Sequence, residues 1–126
     1  MRKSIMYVGL DQHKESIEIA TADEGRGGEV RRYGRIDGEL HSLDRVVRKL
    51  ESSGKELRFV YEAGPCGYHL YRYLRSRGLE WKVAAPSLIP KKSSDRVKTD
   101  WRNAVNLARL ERAGELTAVY VPGTRF

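Results

Sequence analysis

Apolar residues recur in two rhythms along this chain, and the order of the rhythms leaves few folds open. Residues 4–36 hold three short strand-like runs, SIMYVGL, IEIATA and VRRYGRI. The first is almost continuously apolar, as a strand covered on both faces must be. The second alternates, with Ile17 and Ile19 on one face. The third carries arginines that suit a solvated strand near a sheet edge. The polar turn DQHKES and the glycine-rich turn DEGRGGE separate them. This is the pattern of an antiparallel meander whose most apolar strand, the first, lies most centrally.

Beyond the meander the period changes. Leu40, Leu43, Val46, Val47 and Leu50 recur at three and four, which predicts one amphipathic helix over 39–52 with Gly54 behind it. LRFVYEAG, residues 57–64, is a buried strand ending in Glu62. PCGYHLYRYLRSRG predicts a second helix, opened by Pro65, packed through Leu70, Tyr71 and Leu74 and stopped by Gly78. LEWKVAAP is a further strand and SLIPKKSSDRVK a basic loop. TDWRNAVNLARLERAG is a third helix, capped by Thr99 or Asp100, docked through Ala104, Leu107 and Leu110, and ended by Gly114. ELTAVYVPGTRF is a short extended tail. Meander first, then alternating helix and strand, is an α/β order: a mixed sheet with antiparallel early strands and parallel later ones, as in ribonuclease H-like domains.

The 126 residues suit a single domain over 1–126 with a modest core, and neither repeat nor linker interrupts them. A formal charge of +7 favours a polyanionic partner, most often nucleic acid. The lone cysteine, Cys66, rules out an internal disulfide framework and reads as buried and inert. No apolar run approaches membrane-spanning or signal-peptide length, so the expected location is cytoplasmic, away from any membrane.

Asp11 ends the first strand and Glu62 ends the strand after the first helix. If those strands are neighbours, both carboxylates leave one sheet edge. Asp100 and Asn103 lie three apart on the third helix, hence on one face, one turn before the residues that dock it. Any one of these acids alone reads as an ordinary cap. Together, three acids and an amide repel one another unless a cation neutralises them, and hard oxygen ligands suit Mg²⁺ or Mn²⁺. Two such ions about 3.5–4 Å apart stabilise the attacking and leaving oxygens of phosphoryl transfer. Lys91, Lys92, Arg96, Lys98 and Arg102 put five cations beside this site, the footprint of phosphate contacts.

The blocks YVGLDQHKESIEIA, FVYEAGPCGYHLYRYL and VAAPSLIPKKSSDRVKTDWRNAVNLARL, in that order, resemble the N-terminal domain of DEDD transposases of the IS one-ten class, a group that includes the pilin-gene invertases. The resemblance covers nearly the whole chain. It implies a RuvC-like, ribonuclease H-like fold and metal-dependent cleavage and transfer of DNA strands during insertion-sequence transposition. Asp11, Glu62 and Asp100 take the places of the first three family acids. The fourth differs: KTDWRNA puts Asn103 where the family has aspartate, which keeps an oxygen ligand but loses its charge. An engineered change, natural decay and a tolerated variant all fit that substitution. The family also implies a serine-bearing C-terminal domain, which residues 1–126 are expected not to include, a structured guide RNA pairing with donor and target DNA, and a homo-oligomer in the full-length protein.

Other residues read more plainly. His13, two past Asp11, is a solvated turn residue or a phosphate contact. Asp95 is a partner for a neighbouring base, and Ser93 and Ser94 are loop caps. Tyr68, Tyr71 and Tyr73 are core and rim residues that could also stack on bases. Trp101 is a base-proximal ring or a cover for the helix start. Two rival functions remain: a silent nucleic-acid-binding or dimerisation module, favoured by Asn103, and an ATP-binding domain of the actin-like kinase core. The second lacks the glycine after Asp11 that would let backbone approach phosphate.

Overall fold

A computed structural model describes residues 4–13, 15–25, 27–62, 68–84, 96–114 and 118–120. Side chains are described within those ranges except at 62, 68–69, 96–103 and 118–120. Six strands form one sheet: β1 (Ile5–Gln12), β2 (Ser16–Asp23), β3 (Val30–Asp37), β4 (Glu56–Glu62), β5 (Glu80–Ala84) and β6 (Ala118–Tyr120). Three helices are interleaved: α1 (Leu40–Glu51), α2 (Tyr68–Ser76) and α3 (Arg96–Ala113). The order is β3-β2-β1-β4-β5-β6. β1–β2 and β2–β3 are antiparallel, β1–β4 and β4–β5 are parallel, and β6 returns antiparallel to β5. The expected mixed sheet is present, with β1 inside it and β3 at an edge. The extended tail contributes the sixth strand.

Two layers of helix cover the sheet. Val8, Leu10, Ile17, Ile19, Leu57, Phe59, Tyr61, Trp81 and Val83 lie on one face, packed with Leu43, Val46, Val47 and Leu50 of α1 and Leu70, Tyr73 and Leu74 of α2. The spacing of those α1 residues is what the helix periodicity predicts, although Leu40 is exposed. On α2, Tyr73 rather than Tyr71 is the buried tyrosine. Its hydroxyl donates to Asp44 of α1, and Arg77 reaches Asp44 and Glu51, so a polar clamp joins the two helices at their rim. Gly54, Gly78 and Gly114 follow the helices at φ +79°, +64° and +71°.

The other face belongs to α3, which packs across β1, β2, β3 and β4. Ala104, Leu107 and Ala108 are buried there, while Leu110, expected to dock, is exposed. The helix comes very close to the sheet. A Cβ on Gly9 would lie 2.1 Å from the Ala104 carbonyl oxygen and 3.0 Å from the Ala108 nitrogen. Only glycine on β1 opposite small residues on α3 permits this seat. The far end of α3 is held by ion pairing and hydrogen bonds: Lys82 Nζ to Glu111 (2.7 Å), and Arg112 Nη1 to the carbonyls of Gly28 (2.8 Å) and Asp23 (3.3 Å).

α3 begins three residues before the expected cap. Arg96, Val97 and Lys98 are helical, and Thr99 and Asp100 are helix-interior rather than capping residues. Arginine and lysine are good helix formers, and neither glycine nor proline intervenes to stop the helix extending backward. Pro65, Cys66, Lys91, Lys92, Ser93, Ser94 and Asp95 lie outside the described residues.

Candidate active site at the carboxyl ends of β1 and β4

Parallel pairing fixes the first half of the site. Leu10 pairs with Tyr61, so Asp11 and Glu62, each one residue further, end adjacent strands at the same sheet edge. Gly9 lies on the α3 face, and alternation returns position 11 to that face. Val60 packs with Leu107 of α3, so position 62 falls on the same face. The two expected acids are brought together by one register.

The helix supplies the second half. Its C-terminal turn is tied to Asp23, which pairs with Met6 near the start of β1, while Ala104 sits over Gly9. α3 therefore runs against β1, and its N-terminal turns lie toward the end bearing Asp11. One helical turn rises about 5.4 Å and two strand residues about 6.6 Å, so position 100 advances along the sheet about as far as position 11. Positions 100 and 103 share the helical face of Ala104 and Leu107. The side chains of Glu62, Asp100, Asn103, Arg96, Lys98 and Arg102 are outside those described. Among the described residues no group of three or more His, Cys, Asp or Glu is gathered as a metal cage.

Asp11 itself is mostly buried, 13% exposed, and His13 Nε2 lies 3.1 Å from its Oδ2. His13 is thus a partner of the leading carboxylate rather than only a solvated turn residue. The β1–β2 hairpin holds it there, closed by His13 N–H to the Ser16 carbonyl (2.8 Å).

A second carboxylate was not anticipated. Glu18 is the cross-strand partner of Asp11 on β2 and is fully buried. Its charge is met by two arginines of β3: Arg35 Nε to Oε1 (2.9 Å), and Arg32 Nη2 to Oε1 (3.1 Å) with Nε to Oε2 (3.4 Å). Arginines three apart share a face here because the strand bulges. Ile19 opposes Gly34 but Ala20 opposes Arg32, which leaves Tyr33 as the extra residue. Gly34 takes φ +145°, which side-chain-bearing residues rarely adopt. The sequence signal was the run EIATA: a lone acid followed at steps of two by Ala20 and Ala22, the small residues of a surface that a helix covers closely.

A mixed sheet of this strand order with a helix across its central strands is the ribonuclease H-like fold. RuvC of Thermus thermophilus superposes on the chain with a TM-score of 0.54, covering 90% of this chain and 99% of that one at 13% identity. The T. thermophilus RuvC solved with a Holliday junction substrate gives 0.52 at 9% identity. The family model for IS110-type DEDD transposases, described as Transposase, matches residues 8–125, and the chain belongs to that family. It is 51% identical over 116 residues to "Putative transposase y4qE" of Sinorhizobium fredii (strain NGR234). It is 40% identical over 111 residues to the transposase for insertion sequence element IS1533 of Leptospira borgpetersenii. These alignments cover 92% and 88% of this chain but span only 30% and 32% of those relatives.

Proposed function

We propose that this chain carries the acid site of a DNA transposase, with Asp11, Glu62, Asp100 and Asn103 as catalytic metal ligands. The observation that carries the reading is the β1–β4 register, which sets Asp11 and Glu62 side by side beneath the helix bearing positions 100 and 103. All four are hard oxygen donors with no thiolate among them, and that donor set fits Mg²⁺ or Mn²⁺. Such a cation supplies charge neutralisation for an attacking oxygen and a departing one in phosphodiester cleavage.

The chain's own residues then divide the work. Asp11, near the end of the interior strand β1, reaches the site from a strand paired on both sides, so its backbone is rigidly placed. His13 holds one carboxylate oxygen and thereby orients the other. Asn103 offers an uncharged oxygen, which lowers the negative charge of the ligand set by one relative to the family pattern. Lys91, Lys92, Arg96, Lys98 and Arg102 contact phosphates of DNA, at the start of α3 and in the segment before it. The full-length protein acts as a cytoplasmic homo-oligomer, and its serine-bearing domain and guide RNA complete strand transfer and target choice. Among the described residues no helix is long and apolar enough to cross a membrane.

The test is the melting temperature of the parent and of Asp11→Asn, with and without Mn²⁺. A ligand that binds only the folded state raises stability, so Mn²⁺ should raise the parent's melting point and leave the variant's nearly unmoved. Equal shifts would refute the metal site. DNA binding without any metal response would favour the silent module, and a shift with ATP alone the nucleotide-binding rival.

A further inference from the structure

Arg32 and Arg35 have an unusual setting for edge-strand arginines. Their side chains are 48% and 44% exposed, yet both are anchored on a carboxylate that is 0% exposed. Burying Glu18 is costly, and a buried ion pair is often no more stable than an apolar replacement of the same shape. What the arrangement does provide is placement. One carboxylate and one bulge hold two guanidinium groups next to each other on the α3 face, with part of each open to solvent. Each guanidinium has five donors in a planar fork suited to phosphate oxygens.

Its position gives the pair a partner. Glu18 is the register partner of Asp11, and Arg35 is the register partner of Glu18, so the three share one row across β1, β2 and β3. Neighbouring strands lie about 4.8 Å apart, which puts Arg35 roughly 10 Å from Asp11. At a rise of about 3.4 Å per nucleotide, that is about three nucleotides along one strand. Beyond β3 no further strand continues the sheet among the described residues, so the row leads outward.

We infer that Arg32 and Arg35, preset by Glu18 and the Tyr33–Gly34 bulge, form a phosphate-binding contact that grips a nucleic-acid backbone about three nucleotides from the reacting bond. The contact lies on the opposite side of β1 from β4 and uses none of the residues of the lysine-rich segment before α3. It rests on the nucleic-acid part of the function proposed above.

The experiment measures binding of a short labelled DNA duplex, and of its single strand, by fluorescence anisotropy from about 50 to 200 mM salt. Parent, Asp11→Asn, Arg32→Gln/Arg35→Gln and Glu18→Leu/Arg32→Met/Arg35→Met are compared. The triple variant removes the whole buried ion cluster, whereas the double variant leaves Glu18 buried without its arginines and is the less stable of the two. Each lost phosphate contact lowers the slope of log affinity against log salt by about 0.9 on duplex and 0.7 on single strands. The triple variant should therefore lose about 1.4–1.8 of slope while keeping the parent's melting shift with Mn²⁺. Asp11→Asn should keep the parent's slope and lose the Mn²⁺ shift. A folded triple variant with the parent's slope would overturn this inference and leave the metal site standing. A parent that binds neither DNA form would overturn both this contact and the nucleic-acid reading beneath it.

Discussion

Gly9→Ala is the sharpest single perturbation that this fold offers. The new Cβ would sit 2.1 Å from the Ala104 carbonyl oxygen, against at least 3.4 Å for ordinary contact. α3 must therefore retreat by more than ~1 Å or tilt. Both close atoms belong to helix backbone, so no side-chain rotamer relieves the clash and trimming Ala104 to glycine does not help. Overpacking of this kind costs about 1–3 kcal/mol. For a domain of this size that is a fall in Tm of roughly 4–15 °C. The displacement also carries positions 100 and 103 away from the strand ends, and a misplacement of about 1 Å can cost a catalytic site on the order of 100-fold. Thermal denaturation followed by circular dichroism, repeated with Mn²⁺, reads both effects: a lower Tm and a smaller metal-induced rise. A variant that melts with the parent would mean that α3 does not seat on β1 through this contact, and the placement of position 100 would fall with it.

Three further outcomes are expected. Asn103→Asp adds a charge to the proposed ligand set of Asp11, Glu62 and Asp100; it should melt below the parent without metal and show the larger upward shift with Mn²⁺, and equal shifts would remove position 103 from the site. The Asp44 carboxyl is held down at about 2, first by the Tyr73 hydroxyl bond and then by Arg48. An unfolded aspartate titrates near ~3.9, so this stabilisation is complete above that pH and is lost as pH falls toward 2; Asp44→Asn should flatten Tm against pH in that window, and an unchanged acid limb would contradict the clamp. Replacing Lys91, Lys92 and Lys98 with alanine should flatten the salt dependence of DNA binding, and an unchanged slope would place the DNA elsewhere.

Much of this was legible in the chain because hydrophobic period reports burial directly. The switch from short runs to three-and-four spacing at Leu40–Leu50 fixed the element order, and the apolar density of SIMYVGL marked β1 as interior. Asp11 and Glu62 were legible as strand ends, and parallel pairing did the rest. Asp100 as a cap was not borne out, because RVK before it is as compatible with helix as with loop and propensity alone sets no boundary there. Leu110 was expected to dock beside Ala104 and Leu107, three residues apart, whereas the close seat on Gly9 turns Ala104 and Ala108 to the sheet and leaves Leu110 exposed. Glu18 with Arg32 and Arg35 was hidden for a different reason. Strict alternation puts residues 32 and 35 on opposite faces, and only the bulge at Tyr33–Gly34 unites them.

The seat of α3 on β1 also bears on when the site comes into being. β1, β2 and β3 join through two short hairpins, contacts that close quickly, and β4 needs only the crossover through α1. Gly9 and Ala104 are separated by most of the chain. On a ribosome the strand ends carrying Asp11 and Glu62 emerge first, and α3 follows the other two described helices. A nascent chain therefore presents two of the four proposed site positions between the emergence of Glu62 and that of α3, with no helix to bring the others in. The proposed acid site is completed late, by the arrival of one helix, and a chain interrupted before residue 96 would fold its meander without acquiring it.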